Sequence, residues 1–132
     1  MPERLVVDAS VLVDLLASTS RAPAVADRLA GADLHAPAHL DAEVLSALGR
    51  LQRDRRVTAR QVGTRLAWLS KAPIERHGLA PLLDGAWRRR HRLQLVDALC
   101  AELADRLQAT LVTTDARLTG ALPGIEVIAP GP

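Results

Sequence analysis

Four acidic side chains, Asp8, Glu43, Asp97 and Asp115, carry the chemistry that this 132-residue sequence can do. Asp8 closes an apolar run, Leu5 to Val7; Asp115 follows the segment Leu111 to Thr114; Asp97 opens a late helical pattern. In an open parallel sheet, ligands bind beyond the carboxyl ends of the strands, where helix N-termini converge, so these three acids could share one edge. Glu43 lies inside a helical pattern, three residues after Leu40 and four before Ala47. Its Cβ points to the margin of the buried stripe, from which the carboxylate reaches either solvent or that same edge. Taken singly, each Asp has a plainer explanation as a helix cap, because its oxygen accepts an orphan backbone N–H and its charge meets the positive end of the helix dipole. Taken together, carboxylates converging without arginine partners would repel and raise one another's pKa unless a cation neutralised them. Oxygen ligands with no cysteine or paired histidine favour Mg²⁺ or Mn²⁺ over zinc. Such an ion orients a phosphodiester and activates water, so the chemistry implied is phosphodiester hydrolysis.

The elements that must position these acids follow from apolar periodicity. Leu5 to Val7 reads as a strand running straight into a helix marked by Val11, Leu12, Leu15 and Leu16. Ala22 to Ala30 forms a second helix stopped by Gly31, and Asp33 to Ala36 a short strand closed by Pro37. From His39 to about Arg55, Leu40, Val44, Ala47, Leu48 and Leu51 recur at three- and four-residue steps, the stripe of a core-facing helix. Thr58 caps a fourth helix through Leu69; Pro73 to Glu75 resembles a brief strand, and Leu79, Leu82, Leu83 and Trp87 mark a helical stretch. Val96, Leu99, Cys100, Leu103 and Leu107 mark a helix entered at Asp97, followed by strands at Thr110 to Thr113 and Ile125 to Ile128. Short strands alternating with helices imply parallel pairing through right-handed crossovers and a helix-covered α/β sheet. The length suits one domain, residues 1–132, with a core over about 4–128 and a frayed tail at Ala129 to Pro132.

Composition excludes several function classes. With 48% apolar and 24% charged residues the chain is globular rather than disordered. A lone cysteine, Cys100, makes no internal disulfide and fits a core position, and the four histidines lack cysteine partners at zinc-finger spacing. His35 and His39 are four apart, but Pro37 interrupts any shared helix; His77 and His91 have no partner at a suggestive spacing. No zinc site and no metal-free histidine-pair ribonuclease is expected. The first apolar run is too short for a signal peptide or a membrane span, so a cytoplasmic location is expected. With two tryptophans, no phenylalanine and no tyrosine, base stacking on aromatic platforms is excluded, and any RNA must be held by charge. Both tryptophans, Trp68 and Trp87, are expected at helix contacts, with anchoring of a partner as the alternative. The formal charge is only +2, but ten of sixteen arginines fall between Arg50 and Arg65 or between Arg88 and Arg92, two candidate basic surfaces for RNA or a protein partner, against an ordinary solvated helix face. Within the second, Arg88 can pair with Asp84 at i,i+4 spacing.

The sequence resembles the PIN-domain family, and within it the VapC-type toxin ribonucleases. The resemblance rests on Val6-Val7-Asp8-Ala9-Ser10-Val11-Leu12-Val13-Asp14, on Glu43 in the third helix, on Val96-Asp97-Ala98, and on Leu111-Val112-Thr113-Thr114-Asp115-Ala116-Arg117-Leu118, in that order across about residues 4–128. Val96 departs from the pattern, standing where an aromatic residue often precedes the late acid. The resemblance implies a three-layer α/β/α fold around a parallel sheet, with Asp8, Glu43, Asp97 and Asp115 as catalytic, metal-binding acids. It implies a Mg²⁺- or Mn²⁺-dependent endoribonuclease, the toxin of a type II toxin-antitoxin system, cutting tRNA or ribosomal RNA. A small cognate antitoxin and homodimerisation are implied as well. Ser10 and Thr113 could hydrogen-bond the acids or the attacking water, against ordinary turn and capping duty. Arg117 could touch the scissile phosphate, against pairing with a nearby carboxylate. Two other readings compete: a catalytically silent PIN-like module that binds RNA or protein, and a receiver-like phosphoryl-transfer protein. The second lacks the DxDxT pattern after Asp8 and has Lys71 as its only lysine.

Overall fold

The computed structural model describes residues 1–130. The described elements are β1 (Arg4–Val7), α1 (Ala9–Leu16), α2 (Ala22–Leu29), β2 (Asp33–Pro37), α3 (Leu40–Arg53), α4 (Ala59–Lys71), β3 (Ile74–His77), α5 (Leu83–Arg88), α6 (Leu95–Leu107), β4 (Thr110–Thr113) and β5 (Ile125–Val127). The strands form one sheet in the order β3-β2-β1-β4-β5, and every pairing is parallel. From β1 the chain works outward to β3, then returns beside β1 and works outward the other way. The β1–β4 pair, with Val7 opposite Val112, is therefore the place where the connections diverge.

Strand alternation divides the core into two layers. Leu5, Val7, Ala36, Ile74 and Val112 pack with the apolar stripes of α1 to α4. Val6 and Leu111 face the opposite way and pack with Leu82, Ala86, Leu93 and the buried side of α6. This is a three-layer α/β/α arrangement, and burial on both faces explains why its central strands are unbroken apolar runs. The stripe expected from Leu40 to Leu51 is the buried side of α3, with Leu40, Val44 and Leu48 almost wholly enclosed. Thr58 caps α4 in a reciprocal box: Gln61 N donates to Thr58 Oγ1 at 3.1 Å, and Thr58 N donates to Gln61 Oε1 at 2.8 Å.

Several expectations need correction. The third strand starts at Ile74 rather than Pro73, which lacks the N–H a ladder needs. The stretch from Leu79 to Trp87 divides into a 3₁₀ turn at Ala80–Leu82, which contains Pro81, and the short helix α5. Trp68 and Trp87 are 46% and 55% exposed rather than packed at helix contacts, and Trp87 instead lies under the Arg90 guanidinium, 4.6 Å from the ring centre. Ala129 and Pro130 carry no regular structure; the rest of the expected frayed tail, residues 131 and 132, lies outside the described residues. Among the described residues no helix is long and apolar enough to cross a membrane.

The α5–α6 contact depends on one glycine. Glu102 of α6 is 8% exposed and pinned between Arg89 and Arg106, whose Nε lies 2.7 Å from Glu102 Oε2. A Cβ at Gly85 would fall 2.1 Å from Glu102 Cδ. Helix propensity favours Gly85→Ala by about 1 kcal/mol, but displacing a carboxylate held by two guanidiniums and overpacking the contact cost about 1–3 kcal/mol. The expected outcome is a lower melting temperature for Gly85→Ala; a higher one would show that Glu102 moves freely.

Candidate active site

Asp8 leaves the end of β1 in an extended conformation and caps α1, with Ser10 N donating to Asp8 Oδ1 at 2.9 Å. Its other oxygen accepts from Thr113 Oγ1 at 2.6 Å, a bond spanning 105 residues of chain. Thr113 ends β4 with no exposed surface, and its hydroxyl also accepts from Asp115 N at 3.1 Å. Since the Thr113 proton points at Asp8, the 3.2 Å contact between Ser10 Oγ and Thr113 Oγ1 is donated by Ser10. Ser10 Oγ in turn accepts from Thr114 N at 3.1 Å. Of the two hydroxyls named from the sequence, that of Thr113 serves a local turn with Asp115, and both lace the β1–α1 junction to the end of β4 at the divergence point.

Asp8, Glu43, Asp97 and Asp115 line a single hollow of about 590 Å³ at this edge, together with Asp14, Gln94, Arg50 and Arg117. α3 brings in Glu43 from its first turn, where it takes an ion pair of 3.0 Å with His39 Nε2. α6 brings in Asp97, which is not a cap: Gln94 holds that position, and Asp97 stands in the first turn facing the hollow. Asp115 caps the 3₁₀ turn Ala116–Leu118 by accepting from Arg117 N at 3.0 Å, and its carboxylate is clamped by the Arg117 guanidinium at 2.6 Å. The expectation of acids without arginine partners therefore fails for Asp115, and the alternative of Arg117 pairing with a nearby carboxylate holds.

The electrostatics differ among the four. Partial burial, reinforced by the charges of Asp8 and Asp115, raises the Asp97 pKa from the ordinary 3.8 to about 6. Burial also raises Glu43, opposed by the charge of His39 and assisted by that of Asp8. The hydrogen bond from Arg117 holds Asp115 below the usual carboxylate range. Cys100, one helical turn beyond Asp97, is buried in the core as expected; burial first, then the charges of Asp8, Glu43 and Asp97, push its thiol well up and keep it neutral.

Neither Asp14 nor His39 is expected at the site from the sequence, although Asp14 lines the hollow and His39 pairs with Glu43. Asp14 Oδ2 accepts from Thr114 Oγ1 at 2.5 Å and Oδ1 from Thr19 at 2.7 Å, fastening α1 to the loop after β4. The available signal was the i,i+4 spacing of Ser10 and Asp14, which puts both on one helix face. A set of three ligand-bearing side chains with atoms all within 4.8 Å of one another also exists among the described residues. It lies at His35, Glu75 and His77, none of which lines the hollow.

The PIN domain family matches residues 5–121. The chain belongs to the PIN-domain family. Its relatives include Ribonuclease VapC3 of Mycobacterium tuberculosis, 55% identical over 128 residues, which covers 96% of this chain and 93% of that protein. Among solved structures, Mycobacterium tuberculosis VapC20, a sarcin-ricin-loop-cleaving toxin, superposes with a TM-score of 0.70 at 20% identity, covering 95% of this chain and 99% of that one. A toxin-antitoxin complex from Klebsiella pneumoniae superposes with a TM-score of 0.69 at 14% identity, covering 95% and 98%. These two share the fold, and the VapC3 similarity puts the chain among the VapC-type PIN ribonucleases.

Proposed function

We propose that this PIN-domain ribonuclease is a metal-dependent endoribonuclease toxin that uses Asp8, Glu43, Asp97 and Asp115 as its catalytic and metal-binding acids. The observation that carries the assignment is their convergence, from four separate segments, on one hollow beside the β1–β4 divergence point. PIN ribonucleases are metal-dependent. The donor set fits a hard divalent ion: it is all oxygen, and Asp97 and Glu43 are each made harder to ionise by burial and, secondarily, by a neighbouring acid, a penalty that a cation offsets. Mg²⁺ is the proposed ion, with Mn²⁺ able to substitute. When bound, the ion polarises the phosphodiester, lowers the pKa of the attacking water and offsets charge on the leaving oxygen.

The chain's own residues supply positioning and charge. Thr113 and Ser10 N fix both oxygens of Asp8, so that carboxylate meets its ligand without having to search for a rotamer. Asp97 is the proposed acid with the most to gain from the ion. Arg50 at the rim of the hollow, and Arg117 once released from Asp115, offer guanidiniums to RNA phosphates that an acidic cup would otherwise repel.

The substrate in this reading is structured RNA, tRNA or ribosomal RNA, in keeping with the ribonuclease relatives and the sarcin-ricin-loop activity of VapC20. The proposed partners are a small cognate antitoxin, as in the Klebsiella complex, and a second copy of the chain. The proposed organisation is a single PIN domain over residues 1–132, acting in the cytoplasm.

Incubation of the purified protein with total RNA tests the proposal. Cleavage should stop in EDTA and return with Mg²⁺ or Mn²⁺, and the new ends should carry 5′-phosphate. Undiminished cutting in EDTA would show that no chelatable metal is needed, and 2′,3′-cyclic phosphate ends would show attack by the ribose hydroxyl; either result overturns the metal-activated mechanism.

A further inference from the structure

The sheet edge opposite β5 carries a second group of ligand-bearing side chains that RNA cleavage leaves unused. In the parallel β2–β3 pair, His35 stands beside Glu75 and Pro37 beside His77. Residues two apart on a strand share a face, so Asp33, His35, Glu75 and His77 all point the same way. The pairing of Val6 with His35 assigns that face to the α6 side of the sheet. His35 Nδ1 lies 2.9 Å from His77 Nε2 and 3.4 Å from Glu75 Oε2, and His77 Nε2 lies 4.0 Å from the same carboxylate oxygen.

A fourth residue orients the group. Asp33 Oδ2 is 2.9 Å from His35 Nε2. An ionised carboxylate only accepts, so in a neutral His35 ring the proton belongs on Nε2 and Nδ1 turns a bare lone pair toward His77 and Glu75. A carboxylate behind one imidazole nitrogen, with the other nitrogen free to coordinate, is the arrangement that fixes tautomer and ring orientation in histidine metal ligands. The His35 side chain is 7% exposed, that of His77 24% and that of Glu75 65%. Two imidazoles are thus held largely out of water by the fold, and the carboxylate stands at the rim on an edge strand, where an ion can enter and water can take a further position.

We propose that His35, Glu75 and His77 form a metal site for Zn²⁺ or a divalent ion of the same borderline class, with Asp33 orienting His35. Two imidazole nitrogens and one carboxylate oxygen suit such an ion, in contrast to the all-oxygen acidic hollow. Tetrahedral coordination at Zn–N distances of about 2.0–2.1 Å places two nitrogens about 3.4 Å apart, so the rings must separate by only about half an ångström. The bound ion replaces the proton shared between the two rings and ties edge strand β3 to β2. The charge complement is reasonable: Glu75 supplies a carboxylate, and Arg76, the nearest arginine in sequence, is turned to the opposite face, where it holds Asp41.

Calorimetric titration of the chelator-stripped whole protein with Zn²⁺ tests the site, with Co²⁺ absorption reporting the geometry. One Zn²⁺ should bind and raise the melting temperature, excess Mg²⁺ should not displace it, and Co²⁺ should show the intense visible bands of low-coordinate nitrogen–oxygen ligation. Asp33→Asn should weaken binding by roughly 10–100-fold. His77→Gln and Glu75→Gln, both at partly exposed positions, should weaken it at least as much while leaving Mg²⁺-dependent RNA cleavage intact. Asp97→Asn should leave Zn²⁺ affinity unchanged. Zn²⁺ binding that survives His77→Gln and Glu75→Gln but fails in Asp97→Asn would place the ion in the acidic hollow and overturn the proposal, as would the absence of stoichiometric binding.

Discussion

Asp97→Asn is expected to lower metal-dependent RNA cleavage by at least roughly 10²-fold, the scale on which one preorganised electrostatic group acts in a catalytic site, while the protein stays folded. Asp97 is the choice because the other three acids have partners that hold them: Thr113 for Asp8, His39 for Glu43 and Arg117 for Asp115. A pH dependence accompanies the loss. With its pKa raised from 3.8 to about 6 in the folded chain, Asp97 stabilises the metal-free fold fully below about pH 3.8, and that contribution is lost as the pH rises through about 6. Between those limits the melting temperature of the metal-free wild type should fall relative to the Asn variant, and above them the gap should be constant. Adding Mg²⁺ near pH 7 should reverse the order, because only the wild type gains the full benefit of neutralisation. Paired thermal melts and a cleavage assay check both statements, and undiminished cleavage by the folded variant would remove Asp97 from the site.

Thr113→Val should damage stability and activity together. The substitution keeps the shape of the side chain but deletes a hydroxyl with no exposed surface, on which Asp8 Oδ2, Asp115 N and Ser10 Oγ all depend. Leaving such groups without a partner costs about 1–3 kcal/mol, visible as an earlier denaturation midpoint. Freeing one oxygen of Asp8 should raise the Mg²⁺ concentration needed for half-maximal cleavage by roughly 10–100-fold. Thr113→Ser restores the hydroxyl and should recover most of the metal affinity, a rescue that a packing role alone would not produce.

Much of this architecture was legible in the residue order. Buried parallel strands are apolar on both faces, so Leu5 to Val7 and Leu111 to Val112 announce themselves, and the stripe from Leu40 to Leu51 has the helical period. The acids were legible because three of them follow or open such elements. Local signals erred where they compete: Pro73 looked like strand but has no donor, and Asp97 looked like a cap although its helix begins two residues earlier, at Leu95. The exposure of Trp68 and Trp87 could not be foreseen, since hydrophobicity states a preference for burial and not which helix face finds a neighbour.

By itself the sequence determined the succession of strands and helices and the placing of an acid beside each critical terminus, because periodicity and capping act over a few residues. The tertiary structure alone decided which strands lie side by side. Strand order and register set whether Thr113 meets Asp8 across 105 residues, and whether His35 meets His77 across 42. Those contacts depend on how two apolar layers close over the sheet, a long-range packing outcome that no local spacing encodes.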